Sequence, residues 1–435
     1  MPSTPNAHRN SRSRRARLLA SAALLSLSGS AVLAADSAPS FFDTLASGKF
    51  SGSARYRYEI YDQDTVPGAT TTAAGLITDT AIASTIRLAL GYETAPFHGF
   101  SGFVEYEGLF AVGEKENYRI VNHPSQGNTP RAVIADPLGS EINQALVRWQ
   151  SPDSSVKLLA GRESFFLNNG RFISFSGWRQ NNQSIDLVRG TAKLGAFTAG
   201  YGYLDRVNRV VGHHASDGRL GLASHVLTLD TAKPGIGSAS LYALFLDFDL
   251  ASQAANDTAS IGLRLTGPYK LSDSLNLLYT ADYAHQTDHA DNPLSVSLDY
   301  WTLELGLGGK QHRAFAGWTV LEGKNGATFR TPLAHPFNGW VEKFLLTPTD
   351  GLDALYFTVA GNVPGAKALT YTVTYYDYHA ATGRAHYGSE LDAALEWLAA
   401  PIHKNLTLGW RFGNYFSDTL LTDSLRTSVY AAFKF

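Results

Sequence analysis

The sequence predicts an all-β fold: a transmembrane antiparallel β-barrel, with about eighteen strands, short periplasmic turns and long extracellular loops. Three observations lead there. Apolar and polar residues alternate with a period of two in many short stretches, as a strand with lipid on one side and water on the other requires. The connections between these stretches are short and long by turns. The chain opens like an exported protein, and no later apolar run reaches the roughly 20 residues of a membrane helix.

The opening segment, residues 1–34, reads as a secretory signal peptide. Arg9, Arg12, Arg14, Arg15 and Arg17 precede an apolar run from Leu18 to Leu27, and small residues up to Ala35 allow cleavage after Ala34 or Ala35. Residues 35–49 form a short lead and 50–435 the barrel domain. Loss of those five arginines leaves 31 basic against 38 acidic side chains. A net −7 argues against a nucleic-acid partner. The absence of cysteine excludes disulfides and thiolate metal sites.

Strands are expected to start near residues 50, 82, 101, 142, 155, 184, 196, 223, 238, 258, 274, 295, 313, 353, 367, 387, 404 and 424. The second carries Ile86, Leu88, Leu90 and Tyr92 on one face, with Arg87 and Glu93 on the other. The tenth sets Ile261, Leu263 and Leu265 against Arg264, and the eleventh sets Leu277, Tyr279, Ala281 and Tyr283 against Thr280 and Asp282. In the sixteenth, Leu391, Leu395 and Trp397 oppose Glu390, Asp392 and Glu396. In the seventeenth, Leu408, Trp410 and Phe412 oppose Arg411, and in the last, Leu425, Val429, Ala431, Phe433 and Phe435 oppose Arg426, Ser428 and Tyr430.

Even-numbered strands end on turn-rich pieces such as "SPDS", "AKPGIG" and "GNVPGAK". Odd-numbered strands are mostly followed by longer segments: Gln63 to Thr80, Gly113 to Ser140, Ser164 to Gln183, Val207 to Leu222 and Gly323 to Leu352. Such sorting places both termini on the short-turn side, as in outer-membrane barrels. A terminal Phe435 after an alternating strand resembles the signal read by the outer-membrane assembly machinery. Eighteen strands leave an aqueous lumen where eight would be filled by side chains. The expected function is therefore an outer-membrane channel, a porin, in contact with membrane lipid and lipopolysaccharide, in a Gram-negative bacterium.

The lumen and selectivity candidates are Arg55, Arg57, Arg87, Glu105, Glu107, Arg264, Asp282, Glu390, Arg411 and Arg426. Arg55, Arg57, Arg87, Arg411 and Arg426 come from strands adjoining the barrel seam and are expected to form a basic stripe. The segment "GRFISFSGWRQNNQSIDLV", Gly170 to Val188, is too polar to face lipid. Arg171, Trp178, Arg179 and Gln180 are expected to fold into the mouth, meeting Arg206 and Arg209 of the next loop or Asn338 and Trp340 of a later one. Aromatic faces and guanidinium forks suit sugar acids and other small polar or anionic solutes.

A rival reading is a barrel hydrolase built on His285, Asp288 and His289, which sit beside Asp282 and Asp291. The chain has no nucleophile motif such as GxSxG and no recognised metal or cofactor motif, so no enzyme, cofactor or metal is expected.

Several segments taken in order resemble the alginate-export family of outer-membrane proteins. They include "RLALGYETAPFHGFSGFVEYEG" (Arg87 to Gly108), "DPLGSEINQALVRW" (Asp136 to Trp149) and "GRESFFLNNGRFISFSGWRQNNQSIDLV" (Gly161 to Val188). "YTADYAHQTDHADNP" (Tyr279 to Pro293) and "RTPLAHPFNGWVEKFLLTPTDGLDALY" (Arg330 to Tyr356) follow. The resemblance implies an eighteen-stranded channel and, as one alternative, a dedicated polyuronate exporter. The mixed charge of the lumen candidates favours passive diffusion of small solutes.

Overall fold

The alternating stretches pair, each with its neighbours in sequence, into one closed antiparallel barrel. The computed structural model describes residues 40–65, 79–113, 117–125, 127, 130–333 and 338–435, so the expected signal peptide lies outside the described residues. The strands are β1 (Lys49–Gln63), β2 (Ala81–Glu93), β3 (Phe100–Ala111), β4 (Gly139–Gln150), β5 (Val156–Glu163) and β6 (Ser184–Leu194). They continue with β7 (Phe197–Asn208), β8 (Arg219–Lys233), β9 (Gly237–Phe245), β10 (Thr258–Thr266), β11 (Leu275–Asp288) and β12 (Ser297–Gly309). The last six are β13 (His312–Leu321), β14 (Leu352–Val363), β15 (Ala366–His379), β16 (His386–Leu398), β17 (Leu406–Ser417) and β18 (Ser424–Lys434).

Closure is made by β1 and β18, in register from Ser53 opposite Lys434 to Gln63 opposite Ser424. Phe435 completes the seam: its backbone N–H donates to the Gly52 carbonyl and its carbonyl accepts from the Gly52 N–H, both at 2.9 Å. No unpaired edge is then left to lipid, where a lost backbone bond costs several kcal/mol.

Outward and inward residues separate as alternation demands. On β12, Leu303, Leu305 and Leu307 are exposed, Leu305 by 62%, while Leu298, Tyr300 and Thr302 between the outward positions are buried. Each such leucine contributes roughly 1.5–3 kcal/mol when lipid replaces water. The inward rows carry Tyr242, Tyr300, Tyr378 and Tyr415, each at most 1% exposed.

Turns after even strands are tight. Gly195 (φ 63°) and Gly365 (φ 81°) supply the left-handed backbone that a two-residue hairpin turn uses. The loops after odd strands are numbered here L1 to L9. Those that matter are L2 (112–138), L3 (164–183), L4 (209–218), L7 (322–351) and L8 (380–385). L4 is shorter than the expected Val207 to Leu222, because β7 runs on to Asn208 and β8 starts at Arg219. The lead before β1 holds one helical turn, α1 (Phe41–Ala46), set against the β2–β3 turn by the Phe41 and Phe97 rings, 5.8 Å apart.

Candidate functional site

L3 leaves β5 and runs inward instead of out into solvent. Its backbone carbonyls have no ladder partner there, and buried carbonyls need donors. Arg55 and Arg57, inward on β1, supply them. Arg55 donates to the carbonyls of Gly177 (3.0 Å), Trp178 (3.1 Å) and Arg179 (2.6 Å) and to Gln180 Oε1 (2.7 Å). Arg57 donates to the Trp178 carbonyl at 2.6 Å. Gln180 in turn donates through Nε2 to Thr85 Oγ1 at 3.1 Å, and its backbone N–H donates to Asp136 Oδ1 at 2.9 Å. The polar run is thus bolted to the barrel wall.

A six-member charge network locks this arrangement. Arg57 pairs with Glu59 (3.0 Å) and with Asp136 of L2. Arg179 of L3 lies 3.4 Å from Glu59, 3.5 Å from Glu342 of L7 and 3.9 Å from Asp136. Arg426 of β18 reaches Glu59 and Glu342, both at 2.6 Å. All six are at least nine-tenths buried, three cations against three anions. Neutrality is what makes the burial tolerable, since an unpaired buried charge costs several kcal/mol.

The basic stripe expected from the sequence is accordingly broken up. Arg57 and Arg426 are neutralised in the network, and Arg87 pairs with Glu107 at 2.5 Å. Arg264 pairs with Asp282 at 2.9 Å. Glu105 accepts from Asn143 (2.8 Å) and Gln144 (3.2 Å). Glu390 and the neighbouring Asp392 accept the backbone N–H groups of Val341 (2.8 Å) and Trp340 (3.1 Å), tethering L7 as Arg55 tethers L3. Among the described residues, two inward cations of the stripe have no carboxylate at salt-bridge distance, Arg55 and Arg411.

Arg411 is held in an unusual place. Its guanidinium carbon lies 3.9 Å from the Trp178 ring centroid and 4.0 Å from that of Trp340. One indole comes from L3 and the other from L7. Trp178 also takes Arg57 at 4.8 Å and Arg55 at 5.9 Å, and stands edge-on to Tyr430. Cation–π contacts of this kind contribute about 0.5–2 kcal/mol each.

L3 and L7 also contact one another. Ile173 bridges Leu333, whose carbonyl accepts from Ser174 N–H (3.0 Å) and Gln183 Nε2 (2.9 Å). Arg171 stands over the Tyr300 ring at 5.6 Å, with Asn338 Oδ1 at 3.5 Å. Of the neighbours expected for L3, Asn338 and Trp340 are therefore present. Arg209 takes part through its backbone carbonyl, which accepts from Asn181, while its side chain pairs with Asp217. Arg206 belongs to β7, not to a loop, and its side chain is exposed.

On the extracellular side these loops enclose a cavity of about 780 Å³. Arg119, Arg179, Arg209, Arg330, Lys343 and Arg426 line it, against Asp217 and Glu342. Burial pulls the Lys343 ammonium down to about 8 and lowers Arg119 and Arg330 from their usual values. Sequence reasoning missed Asp136, Glu342 and Lys343 as site residues. Each sits in a loop, where no period marks an inward position.

The histidine cluster of the rival reading is not brought together. His285 pairs with Asp299 at 2.8 Å on the same outward row as Tyr283, whereas Asp282 points inward to Arg264. Asp288 accepts the Val296 N–H, and the His289 ring lies against Phe245.

Fold and loops together define a class: an eighteen-stranded transmembrane barrel of the outer-membrane type, with two long loops turned inward. No family model matches the chain, and no curated protein does. Solved structures do. OpdK of Pseudomonas aeruginosa, crystallised with vanillate, is similar at a TM-score of 0.68 and 11% identity, over 90% of this chain and 99% of that one. OccAB4 of Acinetobacter baumannii is similar at 0.68 and 13%, over 89% and 98%. OccK9 (OpdG) of P. aeruginosa is similar at 0.69 and 15%, over 90% and 100%. At these identities the likeness is one of fold. None of the three carries the alginate-export name, and what they share with this chain is the eighteen-stranded barrel.

Proposed function

We propose that the chain is a passive outer-membrane channel of a Gram-negative bacterium, admitting small polar and anionic solutes, carboxylates in particular. The observation that carries this reading is Arg411 between Trp178 and Trp340, beside Arg55, with a vestibule to which Arg119, Arg330 and Lys343 add positive charge outside the neutral network and the Arg209–Asp217 pair. A planar guanidinium that gives its faces to indoles keeps its in-plane N–H donors for a carboxylate. Flat solutes fit the same slot by stacking. Vanillate, named with OpdK, is an aromatic carboxylate, and sugar acids share its anionic group.

A dedicated polyuronate exporter is less well supported, because pairing of Arg57, Arg87 and Arg426 leaves two cations of the stripe without a carboxylate at salt-bridge distance. A barrel hydrolase is less well supported again, since His285, Asp288 and His289 each take separate partners. Membrane lipid and lipopolysaccharide are the surroundings this reading assigns to the outward leucines, and Phe435 is assigned to recognition by the assembly machinery.

Purified, refolded protein in a planar bilayer tests it. Stepwise conductance, a reversal potential of anion-preferring sign under a KCl gradient, and block by vanillate or glucuronate are expected. Absence of steps, or preference for K⁺, would overturn the reading.

A further inference from the structure

We propose that Asp377, His379 and His386, oriented by Asp418, form a divalent transition-metal site of the zinc class on the outer wall of the barrel at its extracellular rim. The argument begins with where the ladder puts these residues. Leu355, Asp377, Ser389 and Phe416 lie side by side across β14 to β17. Directly opposed residues share a face, and Leu355 and Phe416 are exposed by 55% and 50%. Asp377 therefore points outward, while its neighbour Tyr378 is fully buried inward. His379, two residues after Asp377, returns to the outward side.

Simple alternation would turn His386 inward. Counting back from outward Ser389, Gly388 faces in, Tyr387 out and His386 in. A register shift changes this: Tyr378 opposes Gly388 but His379 opposes His386, leaving Tyr387 as the extra residue of a bulge. Tyr387 is buried, and its hydroxyl donates to the Gly351 carbonyl. A bulge re-aims side chains. Here it delivers His386 to the outward side, its ring 4.9 Å from that of His379.

The donor atoms of Asp377, His379 and His386 all lie within 4.8 Å of one another. Ligand atoms around tetrahedral zinc stand roughly 3.3–3.6 Å apart, from metal–ligand distances of about 2.0–2.2 Å. Small rotations of partly exposed side chains close that difference. His386 has a division of labour already built: Nδ1 lies 3.0 Å from Asp418 Oδ2, and Nε2 lies 2.9 Å from Asp377 Oδ1. With Nδ1–H donated to Asp418, the Nε2 lone pair faces the position that Asp377 and His379 also face. A carboxylate that orients a ligating imidazole through its other nitrogen is the usual second partner at zinc sites. Two imidazoles and one carboxylate favour zinc, nickel or cobalt over calcium or magnesium, which take oxygen ligands. Three protein ligands leave one position for water.

The site is outside the lumen and independent of the channel reading. Its effect would be to staple the L8 hairpin to the end of β17. Tag-free, EDTA-treated full-length barrel in detergent should bind one zinc ion per chain by calorimetry. Cobalt should give the visible absorption of a four-coordinate site. H379A and H386A should each weaken binding at least tenfold, and D418N about 10–100-fold. H213A/H214A, at the other histidine pair, should change nothing. Calcium binding of equal strength, zinc binding that survives H379A/H386A, or no saturable binding would each overturn the proposal. Should H386A fail to fold, zinc protection of His379 and His386 from diethyl pyrocarbonate in the unchanged chain decides between the same outcomes.

Discussion

Replacing Arg411 by Ala removes one of the two stripe cations without a carboxylate at salt-bridge distance, while leaving the six-member charge network intact. The indoles of Trp178 and Trp340 stand about 4 Å on either side of it. A solute passing at about 4 Å gains roughly 1 kcal/mol from a unit charge in bulk water, and about 4 kcal/mol at an effective dielectric of 20. Arg55 stays in place and Arg411 is partly exposed, so the lower figure is taken as the smallest effect expected. About 1 kcal/mol corresponds to roughly a fivefold fall in chloride over potassium permeability. Reversal potentials under a KCl gradient measure that ratio directly. Arg411→Lys should keep most of the ion preference but lose block by aromatic carboxylates, because an ammonium has neither flat faces nor an in-plane donor fork. An R411A channel that is open, with unchanged ion preference, would refute the assignment of selectivity to this slot.

Glu59→Gln leaves three buried guanidinium groups facing two carboxylates, an imbalance of about 3–5 kcal/mol. Urea-induced unfolding in lipid vesicles, followed by tryptophan fluorescence, should move to lower urea, and further than for Glu342→Gln, whose parent is the more exposed. Lys343, lowered to about 8 by burial, is charged at pH 7 and loses its charge as pH rises through that value. Anion preference should therefore fall between pH 7 and 9, and Lys343→Met should flatten that step. Trp340→Ala takes away one wall of the slot and should raise single-channel conductance while weakening aromatic block.

Strand positions were legible because lipid and water impose a period of two on every residue of a spanning strand. Each of the eighteen expected starts falls within four residues of the observed one. The pairing of lumen charges was not legible, because it depends on which residues the loops bring in. Arg55 and Arg87 stand opposite each other on β1 and β2, a repulsive pair on paper. The structure separates their duties, Arg55 to the carbonyls of L3 and Arg87 to Glu107. Asp136 and Glu342 come from loops where no period exists. The histidine cluster could have been discounted from alternation alone, since Tyr283 was already placed outward and His285 is two residues on. The bulge at Tyr387 is the opposite case, a place where alternation gives the wrong face for His386.

The network also bears on the order in which the protein forms. Glu59 belongs to the first strand and Arg426 to the last, and their 2.6 Å contact exists once β1 and β18 have paired. Arg179 of L3 binds that Glu59, and Glu342 of L7 binds that Arg426 and also Arg179. Before closure, Glu59 and Glu342 lack Arg426, which leaves three carboxylates against two guanidinium groups, and a buried carboxylate without its partner is not stable against solvation. Inward docking of L3 and L7 is therefore coupled to seam closure, though L3 is covalently complete long before β18 in the chain. Protease sites placed between Gly170 and Gln183 should be cut in a chain lacking β18 and protected in the closed barrel. Equal protection in both would mean that L3 docks on the wall through Arg55 and Arg57 alone.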